Sequence, residues 1–267
     1  MKGQPASETS INELIYLTLG NIDLYSDNAD RLISLKSAFE KILVKEISLN
    51  NDSEIYKLFR LIEYNILICL VSLDFSTMLK LFLRPQKKYD QIFACKQLYI
   101  IIIESFKKIY GFSKAIKDSF WVKDIAYLVN TYSPSSIVEY DSLTLEITKF
   151  CEDNFKDGKW KDNRDLSVHY DIQPSKVYHM VVNFSEDELL RKSSTFCFIL
   201  NKTMPFSLQL LKYFNEYILQ KLDKTFYDHL DIHNKWMEEY KYNNDLLEII
   251  TRGKENLLKL QSEYNTK

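Results

Sequence analysis

A chain of 267 residues with 46% hydrophobic content is long enough to bury a sizeable core. Only five Gly and five Pro stand against abundant Leu, Ile, Lys, Glu, Tyr and Phe, a balance that favours long helices with few sharp turns and predicts an all-α protein. With 35 Lys and Arg against 37 Asp and Glu the formal net charge is -2, which excludes a global basic field, so any contact with nucleic acid must be local.

The first ten residues are polar and lack the basic-then-apolar order of a secretion signal. Ser10 followed by Glu13 predicts a capping box that opens a first helix, with a second helix over about Asp27 to Ile47. A long third helix is predicted from Asp52 to Leu83, stopped by Pro85. The longest uninterrupted apolar runs, Ile66 to Val71 and Leu98 to Ile103, are too short to cross a bilayer, which predicts a soluble protein without membrane contact. Between Tyr89 and Tyr110 the apolar residues Ile92, Cys95, Tyr99, Ile102, Phe106 and Ile109 recur at three- and four-residue steps, ending in Lys107, Lys108 and then Gly111. Periodicity, terminal cations and a following glycine together specify a helix. Shorter helices follow over Ile116 to Thr131 and Ser136 to Phe155, separated by Ser133-Pro134-Ser135.

From Lys156 to Pro174 the chain is at its most polar and least periodic, and here stands Arg164-Asp165-Leu166-Ser167-Val168-His169-Tyr170, in a protein with four histidines. Arginine carries a permanent planar charge suited to phosphate, and histidine moves protons near neutrality, so the pair suits phosphodiester chemistry without a metal. Five residues along an α-helix turn through about 500°, which leaves the two side chains about 140° apart. A regular helix would not aim both at one phosphate, so either the motif spans a loop and a helix start or the site draws on two subunits. Lys156, Lys159, Lys161 and Arg164 lie among Phe155 and Trp160, but Glu152, Asp153, Asp157, Asp162 and Asp165 outnumber them, which predicts a solvated connection. Beyond it, Ser185 with Glu188 caps a helix through Phe196 and Leu200, and two last helices follow over about Phe206 to Leu222 and Phe226 to Leu260, the tail then fraying. No repeat or low-complexity linker divides this succession, which predicts one helical domain over 1–267.

The Arg164-x4-His169 pairing, with polar Asp165 after the arginine and Tyr170 after the histidine, resembles the motif of the HEPN superfamily, whose active members are metal-independent ribonucleases, many in toxin or phage-defence systems. The resemblance spans about 89–222 and implies a helical bundle core with additional helices, presenting Arg164 and His169 near a late helix. It also implies a supporting polar residue on an earlier helix, for which Glu104 is the candidate, and support from Asp165 and Tyr170. The implied chemistry is cleavage of single-stranded RNA without cofactor or metal, by a cytoplasmic homodimer that has a protein partner such as an antitoxin. Two copies across a two-fold axis would bring both Arg164 and both His169 side chains to one cleft. Two residues depart from the pattern. Asp171 stands where a tyrosine is usual, and Pro174 interrupts any helix after the motif. The rival reading is a non-catalytic helical scaffold or protein-interaction domain in which Arg164 and His169 serve structure alone, and in which Glu104 and Lys108 form an ordinary i, i+4 pair.

His229 and His233 flank Asp231 at a spacing that can hold zinc, but no third ligand is evident. Cys69, Cys95, Cys151 and Cys197 form no CxxC or Cys/His cluster, which fits a reducing compartment. Nucleophile triads, Walker loops and dinucleotide-binding glycine patterns are all missing from the sequence.

Overall fold

The computed structural model describes residues 8–43, 54–111, 119–155 and 185–239, with isolated positions between 156 and 184 and after 250. The protein is all-α, with no strand among the described residues. Its elements are α1 (Glu8–Leu43), α2 (Glu54–Leu83), α3 (Lys88–Ile109), a π-helical turn (Trp121–Ile125) running directly into α4 (Ala126–Tyr132), a 3-10 turn (Pro134–Ser136), α5 (Ile137–Phe155) and α6 (Glu186–Glu239). Two compact units divide the chain, Met1–Tyr213 and Phe214–Lys267. In the second, Phe214 and Tyr217 stack with ring centroids 6.4 Å apart.

Helix ends follow local chemistry. α2 stops two residues before Pro85, as predicted. At the start of α3 the Asp90 carboxylate accepts the backbone N–H of Lys87 at 2.8 Å. At its end the N–H of Gly111 bonds the carbonyl of Lys107 at 3.1 Å, with Gly111 at φ 72, a left-handed conformation that an L side chain resists. Ser185 caps α6 by accepting the N–H of Glu188 at 3.2 Å, while the Glu188 carboxylate turns instead to Lys192 at 2.7 Å.

Three predicted breaks do not occur, one inside α1 and two inside α6, at Pro205 and between Leu222 and Phe226. α1 is one helix from Glu8 to Leu43 across the gap expected between the first two segments, so Ser10 lies within it and is not its cap. Inward-facing Ile15, Thr18, Tyr25, Ala29 and Leu32 keep one continuous buried stripe through the expected gap. α6 likewise runs unbroken past Pro205. Pro205 is exposed there, as is Asn201, the residue whose carbonyl loses its helical partner. Nearby, the Thr203 hydroxyl donates to the Ile199 carbonyl at 2.8 Å.

The first half of α6 is the centre of the first unit. Asn21 and Tyr25 of α1 reach Cys197 and Asn201, the Tyr25 hydroxyl donating to Asn201 Oδ1 at 2.5 Å. From α2, Asn65 accepts the Ser207 hydroxyl at 2.6 Å and Phe75 meets Phe196 edge-on. Tyr110, just past α3, pairs with Thr203 at 2.8 Å, and Lys202 bonds Glu146 of α5 at 2.7 Å. Trp121 lies between Tyr110, Tyr140 and Phe206, with its indole N–H on Thr144 at 3.0 Å. Such rings bury large apolar area, and the polar tips find partners at each crossing.

Among the described residues one helical stretch, Tyr56–Leu83, is long and apolar enough to cross a membrane by length and composition. Counting only uninterrupted apolar runs misses it, because Ser72 and Asp74 break the runs without breaking the helix. Here it packs on α1 and α3, with Leu58, Leu61, Ile62, Ile68, Cys69 and Leu79 buried.

Candidate functional site

The motif segment leaves α5 at Phe155 and enters α6 at Ser185, and both ends are pinned to α3. The Phe155 ring meets Phe106 with centroids 5.2 Å apart, inside a cluster in which Phe106 also stacks on Phe150 and Phe150 on Phe196. At the other end Gln91 Nε2 donates to Glu186 Oε1 at 3.1 Å. Gln91 and Phe106 are fifteen residues apart, about 22 Å along a helix. The segment with the Arg/His pair therefore starts and finishes against one rigid rod.

Glu104 stands on that rod, half-buried, two residues before Phe106. Asp165 is half-buried and helical. Asp162 is helical too and exposed, so the two described positions between Lys156 and Pro174 are helical where the polarity suggested an irregular connection. Ser175 and His179, past Pro174, are also helical and exposed. Arg164, His169 and Tyr170 lie outside the described residues, as do Asp171 and Pro174. Lys192, in the second turn of α6, is buried and held by Glu188.

A second constellation escaped sequence reasoning. Glu54, Lys57 and Arg60 follow one another at three-residue steps on α2 and meet the π turn and α4. Arg60 Nη2 is 2.9 Å from Asp124 Oδ2, and its guanidinium lies over the Phe120 ring, which stacks on Tyr64 at 4.6 Å. Burial pushes the Asp124 carboxyl above its usual range, with Arg60 pulling the other way. Lys57 sits over the Tyr127 ring at 4.2 Å, and its hydrogen bond lowers the Tyr127 phenol below the ordinary value. Tyr132 donates to Glu54 Oε1 at 3.2 Å, and burial with that carboxylate raises its own phenol. The groups balance one another across the α2–α4 contact, an arrangement that joins two helices. No local signal announces it, because its halves are about 70 residues apart.

Among the described residues no cluster of three or more His, Cys, Asp or Glu could hold a metal. His229 and His233 belong to α6, with side chains outside the described set. Burial pushes the thiols of Cys69 and Cys95 up to about 12, and raises that of Cys197. Comparison with protein-family models, with curated proteins and with solved structures found no match for this chain.

Proposed function

We propose that the chain is a metal-independent endoribonuclease of the HEPN type, of the kind that serves toxin or phage-defence systems. The observation that carries this reading is the Arg164-x4-His169 pair in the connection from α5 to α6, a connection tied at both ends to the helix bearing Glu104. His169 takes the proton from a ribose 2′-hydroxyl, whose oxygen attacks the adjacent phosphorus. Arg164 stabilises charge on the phosphoryl oxygens, and the departing 5′-oxygen collects a proton. The products are a 2′,3′-cyclic phosphate and a 5′-hydroxyl. Asp165 orients the pair, Tyr170 stacks a base or donates to phosphate, and Glu104 supports from α3.

The test is cleavage of single-stranded RNA by the purified protein in EDTA, with end-group analysis. Cleavage giving cyclic phosphate ends, lost in His169→Ala and Arg164→Ala with helicity intact, is the expected result. DNA of the same sequence, lacking the 2′-hydroxyl, should survive. Undiminished cleavage by His169→Ala, or activity that needs added metal, would refute the assignment, and no cleavage of RNA at all would leave the scaffold reading.

A further inference from the structure

α1 and the first half of α6 lie side by side, joined by Asn21–Cys197 and Tyr25–Asn201, and both carry apolar side chains on their outer faces. On α1 the exposed positions Glu13, Leu17, Gly20, Leu24 and Asp27 follow at alternating four- and three-residue steps, a single stripe with two leucines seven apart and an acid at each end. Leu17 is 61% and Leu24 55% exposed. On α6 the stripe holds Phe198, 55% exposed, and Pro205, also seven apart, with exposed Arg191 and Lys212 beyond them. The two stripes match: an apolar pair at one-heptad spacing in each, bracketed by carboxylates on one helix and by cations on the other.

Within one chain the stripes are neighbours pointing the same way, so they cannot pair with each other. A two-fold axis lying in the plane of contact, parallel to the two helices and midway between them, lays α1 of one copy on α6 of the other and repeats the contact in reverse. We infer that this face is the contact surface for a second copy of the chain. Adjacent exposed apolar side chains of this size mark an interaction site, and opposite charge at the ends sets the register. The inference stands independently of the ribonuclease reading, because no motif residue enters it.

Light scattering of the full chain tests it, by mass rather than by RNA cleavage. The expected mass is twice 31.7 kDa, falling to the monomer value in Leu24→Glu and in Phe198→Glu with the circular dichroism unchanged. A charge reversal supplies an arm that leaves the apolar residues in place. Glu13→Lys with Asp27→Lys should weaken the dimer, and adding Arg191→Glu with Lys212→Glu should restore it. A wild-type monomer at every concentration, a dimer untouched by both glutamates, or a reversal that fails to restore association would each overturn the proposal.

Discussion

A carboxylate with 16% of its side chain exposed needs a counter-charge, and Asp124 has Arg60. The raised carboxyl means that the folded protein holds its proton more tightly than the unfolded chain does. In the window just above the ordinary carboxylate pKa the folded state therefore binds more protons, and this group's contribution to stability falls as pH rises through that window. The two single variants should differ accordingly. Arg60→Met strands the charge and is expected to cost about 1–3 kcal/mol in urea unfolding at neutral pH, less near about pH 4 where the carboxyl is partly neutral. Asp124→Asn leaves a 40% exposed guanidinium that water can serve, and should cost under about 1 kcal/mol. Equal losses would show that the pair acts through packing instead of charge. For the thiols, burial that lifts Cys69 and Cys95 to about 12 leaves almost no thiolate near neutrality. Alkylation of the native protein followed by mass spectrometry should find both unmodified until denaturant is added.

At the scale of elements, helix existence was legible from composition and periodicity, while continuity was not. The stripe Ile92 to Ile109 with Gly111 after it gave α3 nearly to the residue, because stop and period agree there. Pro205 misled, since a proline ends a helix only when its surroundings cannot serve the freed carbonyl, and that depends on the face it lands on. Of the candidate site, sequence supplied the Arg/His motif and its place between two helices. The tie of both its ends to α3 was hidden, because Phe106 and Phe155 meet through tertiary packing. Crossings of this kind should also govern stability. Ser207→Ala leaves the buried Asn65 Oδ1 without its donor and is expected to cost about 1–3 kcal/mol by chemical denaturation, a loss that adding Asn65→Leu should partly reverse. In α1, Gly20 is helical and exposed with open space where a Cβ would go, so Gly20→Ala should stabilise by about 0.5–1 kcal/mol.

For the whole molecule, α2 poses the main question of environment, being apolar enough for a bilayer yet lined with polar groups. Asn65, Ser72 and Ser76 are all buried, and Asn65 is engaged by Ser207 of α6 and by the Leu61 carbonyl at 2.8 Å. Lipid offers no such partners, whereas a helical bundle does. The protein is expected in the supernatant after high-speed centrifugation of lysed cells without detergent. Recovery only from the membrane pellet would show that α2 serves a bilayer instead of the core.

The π turn at Trp121–Ile125 bears on how such a chain can vary in descent. A π turn is an α-helix that has absorbed one additional residue. Loss of one residue there, the exposed Lys123 for example, would restore ordinary spacing but turn Phe120 by about 100° relative to α4, away from Tyr64. Insertions and deletions at this point are therefore coupled to a substitution some sixty residues earlier. In any lineage that shortens the turn, the residue at position 64 should change with it.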